Sequence, residues 1–192
     1  MKEILKLMFA LTLISSAAGL LLGYTNRVTT EPIASARQKE TTEALKAVLT
    51  EFDNDPARNV CQYDQDGRSW SFHVARKNGK FTGVAFETSS AKGYGGDIVI
   101  MVGITAAGTV KNIRILSQHE TPGLGTKVAE IPFKSQFVDR PIEGTVWAVK
   151  KDKGDFDAVT GATISSRAVL EALREGLEFY RSHQAEIIRT GE

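Results

Sequence analysis

The stretch Asp157-Ala-Val-Thr160-Gly161-Ala162-Thr163-Ile-Ser165 places two threonines and a serine around a Gly-Ala pair, just ahead of a segment with helical spacing. No Cys or His lies within it, so it holds no nucleophile with its own base. Gly161 and Ala162 remove bulk on the approach to Thr163. A hydroxyl at a helix start meets free backbone amides and the positive end of the helix macrodipole, which together favour a phosphate. The same residues also read as a tight turn in which Thr163 or Ser165 is an ordinary N-cap. Local chemistry leaves these two readings even.

Two more glycine-rich loops carry chemistry-bearing residues. In Gln118–Lys127, "QHETPGLGTK", His119 and Glu120 are adjacent and no second His follows four residues on. The His-Glu-x-x-His zinc pattern is therefore absent. Pro122 sets a bend, and Gly123 and Gly125 expose amides around Leu124, so the loop can approach a flat ligand closely. In Lys92–Asp97, "KGYGGD", no helix follows, and the segment reads mainly as a flexible turn. Tyr94, held between its glycines, is a ring on which another ring could stack.

Composition narrows the field. With 192 residues the chain has room for one domain and an appendage. Its formal charge of +1 gives no broad basic surface for nucleic acid. Cys61 stands alone, which excludes a disulfide framework, a thiolate metal cluster and a Cys-x-x-Cys redox pair. Redox chemistry would need an organic cofactor.

The elements that must position these loops begin with Leu7–Asn26, twenty consecutive residues without a charge. As a helix this run spans about 30 Å, the thickness of a bilayer core. Lys2 and Lys6 ahead of it favour a cytoplasmic N-terminus. A cleaved signal peptide is the alternative, but Leu20–Leu22 continue the apolar run past the small residues Ser15–Gly19. Residues 1–6 are then cytoplasmic, 7–26 an anchor, 27–36 a connector made irregular by Pro32, and 37–192 an extracytoplasmic domain. Within that domain, 37–50 reads as a helix and 52–59 as a loop. Strands are expected over 70–77 and 80–90, joined by a tight turn at Asn78-Gly79, and over 97–105 and 109–117. A short fifth strand is expected over 145–149. Val169, Leu170, Leu173, Leu177 and Tyr180 mark an amphipathic helix over 165–188. Strands in hairpins between helices make an α+β domain.

Taken together, these residues resemble the FMN-binding domain found in the G subunit of the Rnf complex. The family is shared with the C subunit of the sodium-translocating NADH:quinone reductase. The family pattern Asp-x-x-Ser/Thr-Gly-Ala-Thr-x-Ser/Thr is met at Asp157, Thr160, Gly161, Ala162, Thr163 and Ser165, and its Glu-Thr-Pro-Gly-Leu-Gly marker is Glu120–Gly125. The resemblance extends to the anchor and the "KGYGG" approach. It implies an antiparallel, hairpin-built sheet flanked by helices, and FMN joined through its phosphate to Thr163. Tyr94 and Leu124 would pack on the ring, and Glu120 and Thr121 would hydrogen-bond its polar edge. Gly123 and Gly125 would let backbone approach, and Thr160, Gly161 and Ala162 would shape the attachment turn. Lys150 or Lys151 would offset negative charge. The implied role is electron relay within a membrane-bound, ion-translocating ferredoxin:NAD oxidoreductase, with the other membrane subunits as partners and a flavin transferase for maturation. No soluble substrate would be turned over by this chain alone. The compact chain favours the Rnf complex over the quinone reductase. The other readings are a flavoprotein of a different electron chain and an anchored binding or assembly module without flavin.

Overall fold

The computed structural model describes residues 1–65 and 67–189, with the side chain of Ala34 excepted. Asp66 and residues 190–192, at the expected domain end, lie outside the described residues. The chain divides into two units, Met1–Thr41 and Thr42–Glu192. The first is helical throughout and belongs to α1, Lys2–Val48. This helix is long and apolar enough to cross a membrane. Within it the hydroxyls of Thr12 and Thr25 donate to the carbonyls of Met8 (2.9 Å) and Leu21 (2.8 Å). Such back-bonding satisfies them without water. The irregular stretch expected around Pro32 is helical instead. Proline removes one N–H from the ladder, and hydroxyls supply bonds on either side of it, Thr30 to Asn26 O at 2.6 Å and Ser35 to Pro32 O at 2.9 Å.

The second unit is built on a six-stranded antiparallel meander, β1 (Val60–Gln65), β2 (Arg68–Lys77), β3 (Lys80–Ser90), β4 (Ile98–Thr105), β5 (Thr109–Ser117) and β6 (Arg140–Pro141), in that spatial order. Its tightest turn is the expected one: Asn78 and Gly79 have φ of 52° and 74°, the two left-handed residues that match the twist of the flanking strands. Register follows from the period of two. Phe72, Phe86, Val102 and Ile113 pair successively across four strands and form one apolar row. Helix α3 (Thr163–Arg189) covers this row with Val169, Leu170, Leu173, Leu177 and Tyr180. The opposite face carries Ala75, Ala85 and Met101, covered by Ala44, Leu45, Val48 and Leu49.

Three strands differ from expectation: β1 and the two-residue β6 are additional, and the expected fifth strand is absent. β1, "VCQYDQ", is polar at alternate positions and sits at the sheet edge, so its sequence carries little strand signal. Thr145–Val149 forms no strand. β6 pairs with Thr109 and Val110 of β5, and the 145–149 segment is held instead by a single bridge, Val149 to Phe156, and by rings. Trp147 stacks on Phe156 at 5.1 Å, and Phe156 packs on Phe137 at 4.9 Å.

His73 on β2 gives the fold a pH dependence. Burial lowers its pKa below the ordinary value, partly offset by its ring nitrogen bonding to the Pro56 carbonyl. The folded state thus prefers the neutral ring. Stability is full above the unfolded pKa of about 6.5 and falls as pH drops from there toward the lowered folded value. Thermal unfolding between pH 7.5 and 5 should show Tm decreasing below about pH 6.5, with a shallower decrease in His73→Gln. Identical slopes in both proteins would exclude His73 as the cause.

Candidate functional site

The three glycine-rich loops converge. β3 leads into the Lys92–Asp97 loop, β5 leads into the Gln118–Lys127 loop, and residues 157–162 lead into α3. Together they wall a cleft of about 510 Å³, within the range of small-molecule sites. Of the residues singled out from sequence, Tyr94, Glu120, Thr121, Leu124, Gly125, Gly161, Ala162 and Thr163 line it. Ile164 and Ser165 line it as well.

A buried carboxylate ties the loops together. Glu120 is only 5% exposed. Its Oε1 accepts the Gly95 N–H at 3.2 Å and its Oε2 accepts the Ser165 hydroxyl at 2.6 Å. Its own N–H donates to Gln118 Oε1 at 2.6 Å. One side chain thereby joins all three loops, and the approach is close. A Cβ on Gly95 would overlap the His119 carbonyl, so only glycine admits this contact. Both Glu120 oxygens already serve protein donors, so its geometry is that of a clamp as well as a cleft wall.

Above this clamp the walls are apolar and open. Tyr94 is 71% exposed, and Leu124 and Ile164 are about half exposed. Large exposed side chains of this kind around a concavity suit a flat ring system. Gly161, at φ 79°, lies where a Cβ would stand 3.3 Å from Leu124 Cδ2, so a side chain there would crowd the same wall.

At the cleft's inner end α3 begins at Thr163, two residues earlier than expected. The first turn closes with the Ser166 N–H on Ala162 O at 3.0 Å, which leaves the amides of Thr163, Ile164 and Ser165 at the helix's open end. Neither Thr163 nor Ser165 caps the helix by its side chain. Ser165 is committed to Glu120, and the Ser166 hydroxyl accepts the Val159 N–H and donates to Ala162 O, both at 2.9 Å. The half-buried Thr163 hydroxyl has no protein partner among the described residues. It is a hydroxyl left open to the cleft, beside amides that can bind an anion.

Four positions expected at the site stand apart from the cleft. Thr160 is exposed and lines a separate groove of about 390 Å³. Gly123 is a left-handed turn residue at φ 75° with open space where a Cβ would point, and its N–H donates to Thr126 Oγ1 at 3.0 Å. At the lysine pair, Lys150 bonds to the Asp157 carboxylate at 2.7 Å, and Lys151 is exposed. Sequence reading missed the clamp role of Ser165. Its signal was available, because a serine on the buried side of an amphipathic helix calls for an acceptor.

Comparison with known proteins gives the chain a family. A family profile described as the FMN-binding domain matches residues 93–178, which include the three loops apart from Lys92. The chain is 35% identical over 190 residues to the G subunit of the ion-translocating oxidoreductase complex of Aliivibrio fischeri strain MJ11, covering 93% of this chain and 90% of that protein. It is 34% identical over 186 residues to the corresponding G subunit of Cereibacter sphaeroides strain ATCC 17029, covering 93% and 84%. The fold matches the C subunit of the Na(+)-translocating NADH-quinone reductase of Parabacteroides distasonis, with a TM-score of 0.54 at 20% identity over 79% of this chain and 83% of that one. It also matches NqrC of Shewanella oneidensis, with a TM-score of 0.53 at 20% identity over 73% and 69%.

Proposed function

This chain belongs to the FMN-binding G-subunit family of ion-translocating oxidoreductase complexes, and from that membership we propose that it carries FMN on Thr163 by a phosphoester and relays electrons within such a complex. The observation that carries the reading is the Thr163 hydroxyl, unpartnered in the cleft while the neighbouring serines are committed to protein groups. The cofactor, once attached, supplies one- and two-electron chemistry, and the protein supplies position and electrostatics.

The amides of Thr163, Ile164 and Ser165 hold the phosphate, aided by the α3 macrodipole. Tyr94, Leu124 and Ile164 offer the apolar walls for the ring, and Thr121 offers a hydroxyl to its polar edge. Glu120 fixes the walls through Ser165 and Gly95 and places a negative charge at the base of the cleft. Thr160 and Gly123 act through the turns they form. Covalent attachment keeps a soluble cofactor from diffusing away on the far side of a membrane. The partners are the other membrane subunits, and the chain alone turns over no soluble substrate. A flavin transferase reads the Asp157–Ser165 stretch during maturation.

The test is simple. Full-length protein made together with a flavin transferase should show a yellow, fluorescent band after denaturing electrophoresis. A dark band alongside a fluorescent positive control would refute covalent attachment.

The anchor is retained as a single span over 7–26, with the domain on the extracytoplasmic side. In a Cys61→Ala background, Arg58→Cys should react with a membrane-impermeant thiol reagent in cells whose outer barrier is permeable to it. The Arg58 side chain is 88% exposed, so access is not in question. Labelling only after lysis would reverse the orientation, and a mature N-terminus near Leu20 would remove the anchor.

A further inference from the structure

We propose that Gln136 is a positioning residue for flavin loading: its carboxamide grips the backbone of Asp157 and presents the Thr160–Thr163 turn to the loading enzyme. The inference rests on Thr163 being the attachment point. The Asp157 N–H donates to Gln136 Oε1 at 2.7 Å, and Gln136 Nε2 donates to the Asp157 carbonyl at 3.2 Å. This donor-and-acceptor pair is what a neighbouring β-strand offers one residue of its partner. It begins where backbone pairing stops, one residue after the Val149–Phe156 bridge.

The next hold is two residues on, where the Val159 N–H meets the Ser166 hydroxyl at 2.9 Å. Asp157 and Val159 are thus fixed from within. The backbone groups of Ala158 and Thr160, between and after them, have no protein partner among the described residues. They border the groove of about 390 Å³ that Phe133, Gln136 and Thr160 share. The motif is therefore held at Asp157 and Val159, and its Ala158 and Thr160 backbone groups are left for a second protein to engage.

Precision here matters for the chemistry. In loading, the Thr163 oxygen bonds to the FMN phosphorus of FAD, the phosphorus–oxygen bond to AMP breaks, and the hydroxyl proton passes to a base of the transferase. No electron changes hands. Attack requires the oxygen within about 3–3.5 Å of phosphorus, and a displacement of about 1 Å costs on the order of 10²-fold in rate. A turn anchored at Asp157 and at the start of α3 enters that geometry pre-formed. The Lys150–Asp157 ion pair is exposed on both sides and adds little to the anchoring.

Two variants test this in the full-length chain. Gln136→Met keeps the side chain's length and removes both bonds to Asp157 together with the longer one to the Phe133 carbonyl at 3.4 Å, while Gln136→Asn keeps the carboxamide and draws it out of reach of Asp157. Initial rates of flavin attachment from FAD by a purified transferase are followed by intact-protein mass. Both variants should load on the order of 10-fold or more slowly, with Tm within a few degrees of wild type. Hydrogen exchange should rise in the 157–162 segment and stay unchanged in α3 from 168 to 180. Wild-type loading rates in both variants would overturn the role, and so would loss of the fold in both, since Gln136 would then be structural. If wild-type protein itself gains no mass on Thr163, the attachment reading fails, and the two failures are distinct.

Discussion

Thr163→Ala should yield a folded, colourless protein. The hydroxyl is half-buried, has no protein partner among the described residues and stands in the first turn of α3, where alanine is a good helix former. Its removal should change stability by no more than about 0.5 kcal/mol. Flavin content should fall from one per chain to none. Thr160→Ala, in the exposed turn beside the other groove, should keep its flavin. Fluorescence in denaturing gels and thermal unfolding read both outcomes. A coloured Thr163→Ala protein would move the attachment elsewhere, and an unfolded one would make Thr163 a structural residue.

The second large effect concerns Glu120. Glu120→Ala leaves the Ser165 hydroxyl, 1% exposed, without an acceptor, and releases the Gly95 N–H. Bonds to a charged group are worth more than neutral ones, and an orphaned buried hydroxyl costs extra, so the loss should be about 2–4 kcal/mol. For a domain of this size that lowers Tm by about 4–16 °C. Loading should drop too, because the clamp sets the distance between Thr163 and the two facing loops. Glu120→Gln keeps the shape and one acceptor oxygen, so it should fold and load. Removing the negative charge at the base of the cleft should then raise the flavin potential, since reduction adds electrons there. An unchanged Tm in Glu120→Ala would mean that the loops hold together without the clamp.

The fold and the site were legible in different ways. Hairpins were readable because their signals are local: Asn78-Gly79 supplies the two positive φ angles, and the even-numbered apolar residues of β2, β3 and β4 form one face. Helix α3 was readable from its apolar spacing, although its start came two residues early, since no side chain caps it. β1 was not, because an edge strand of Gln, Tyr and Asp gains its order from pairing with β2. Thr145–Val149 looks like a strand by composition, yet its Trp147 is taken up by stacking on Phe156 and only Val149 makes a bridge, so no ladder forms. At the site, the motif gave Thr163, Gly161 and the Leu124 loop, each with a local reason. It gave no hint that Glu120 bonds to Ser165, 45 residues away, or that Gln136 bonds to Asp157, 21 residues away. Contacts between distant loops are set by the tertiary fold and leave no periodic trace.

FMN and one oxygen, that of the Thr163 side chain, should share a covalent bond through phosphorus. The measurement that meets it directly is proteolysis of the denatured, flavin-loaded protein, followed by tandem mass spectrometry of the fluorescent peptide. One FMN per chain is expected, with fragment ions that place the added mass on Thr163. Modification at Thr160, Ser165 or Ser166, or a peptide carrying no flavin mass, would contradict it.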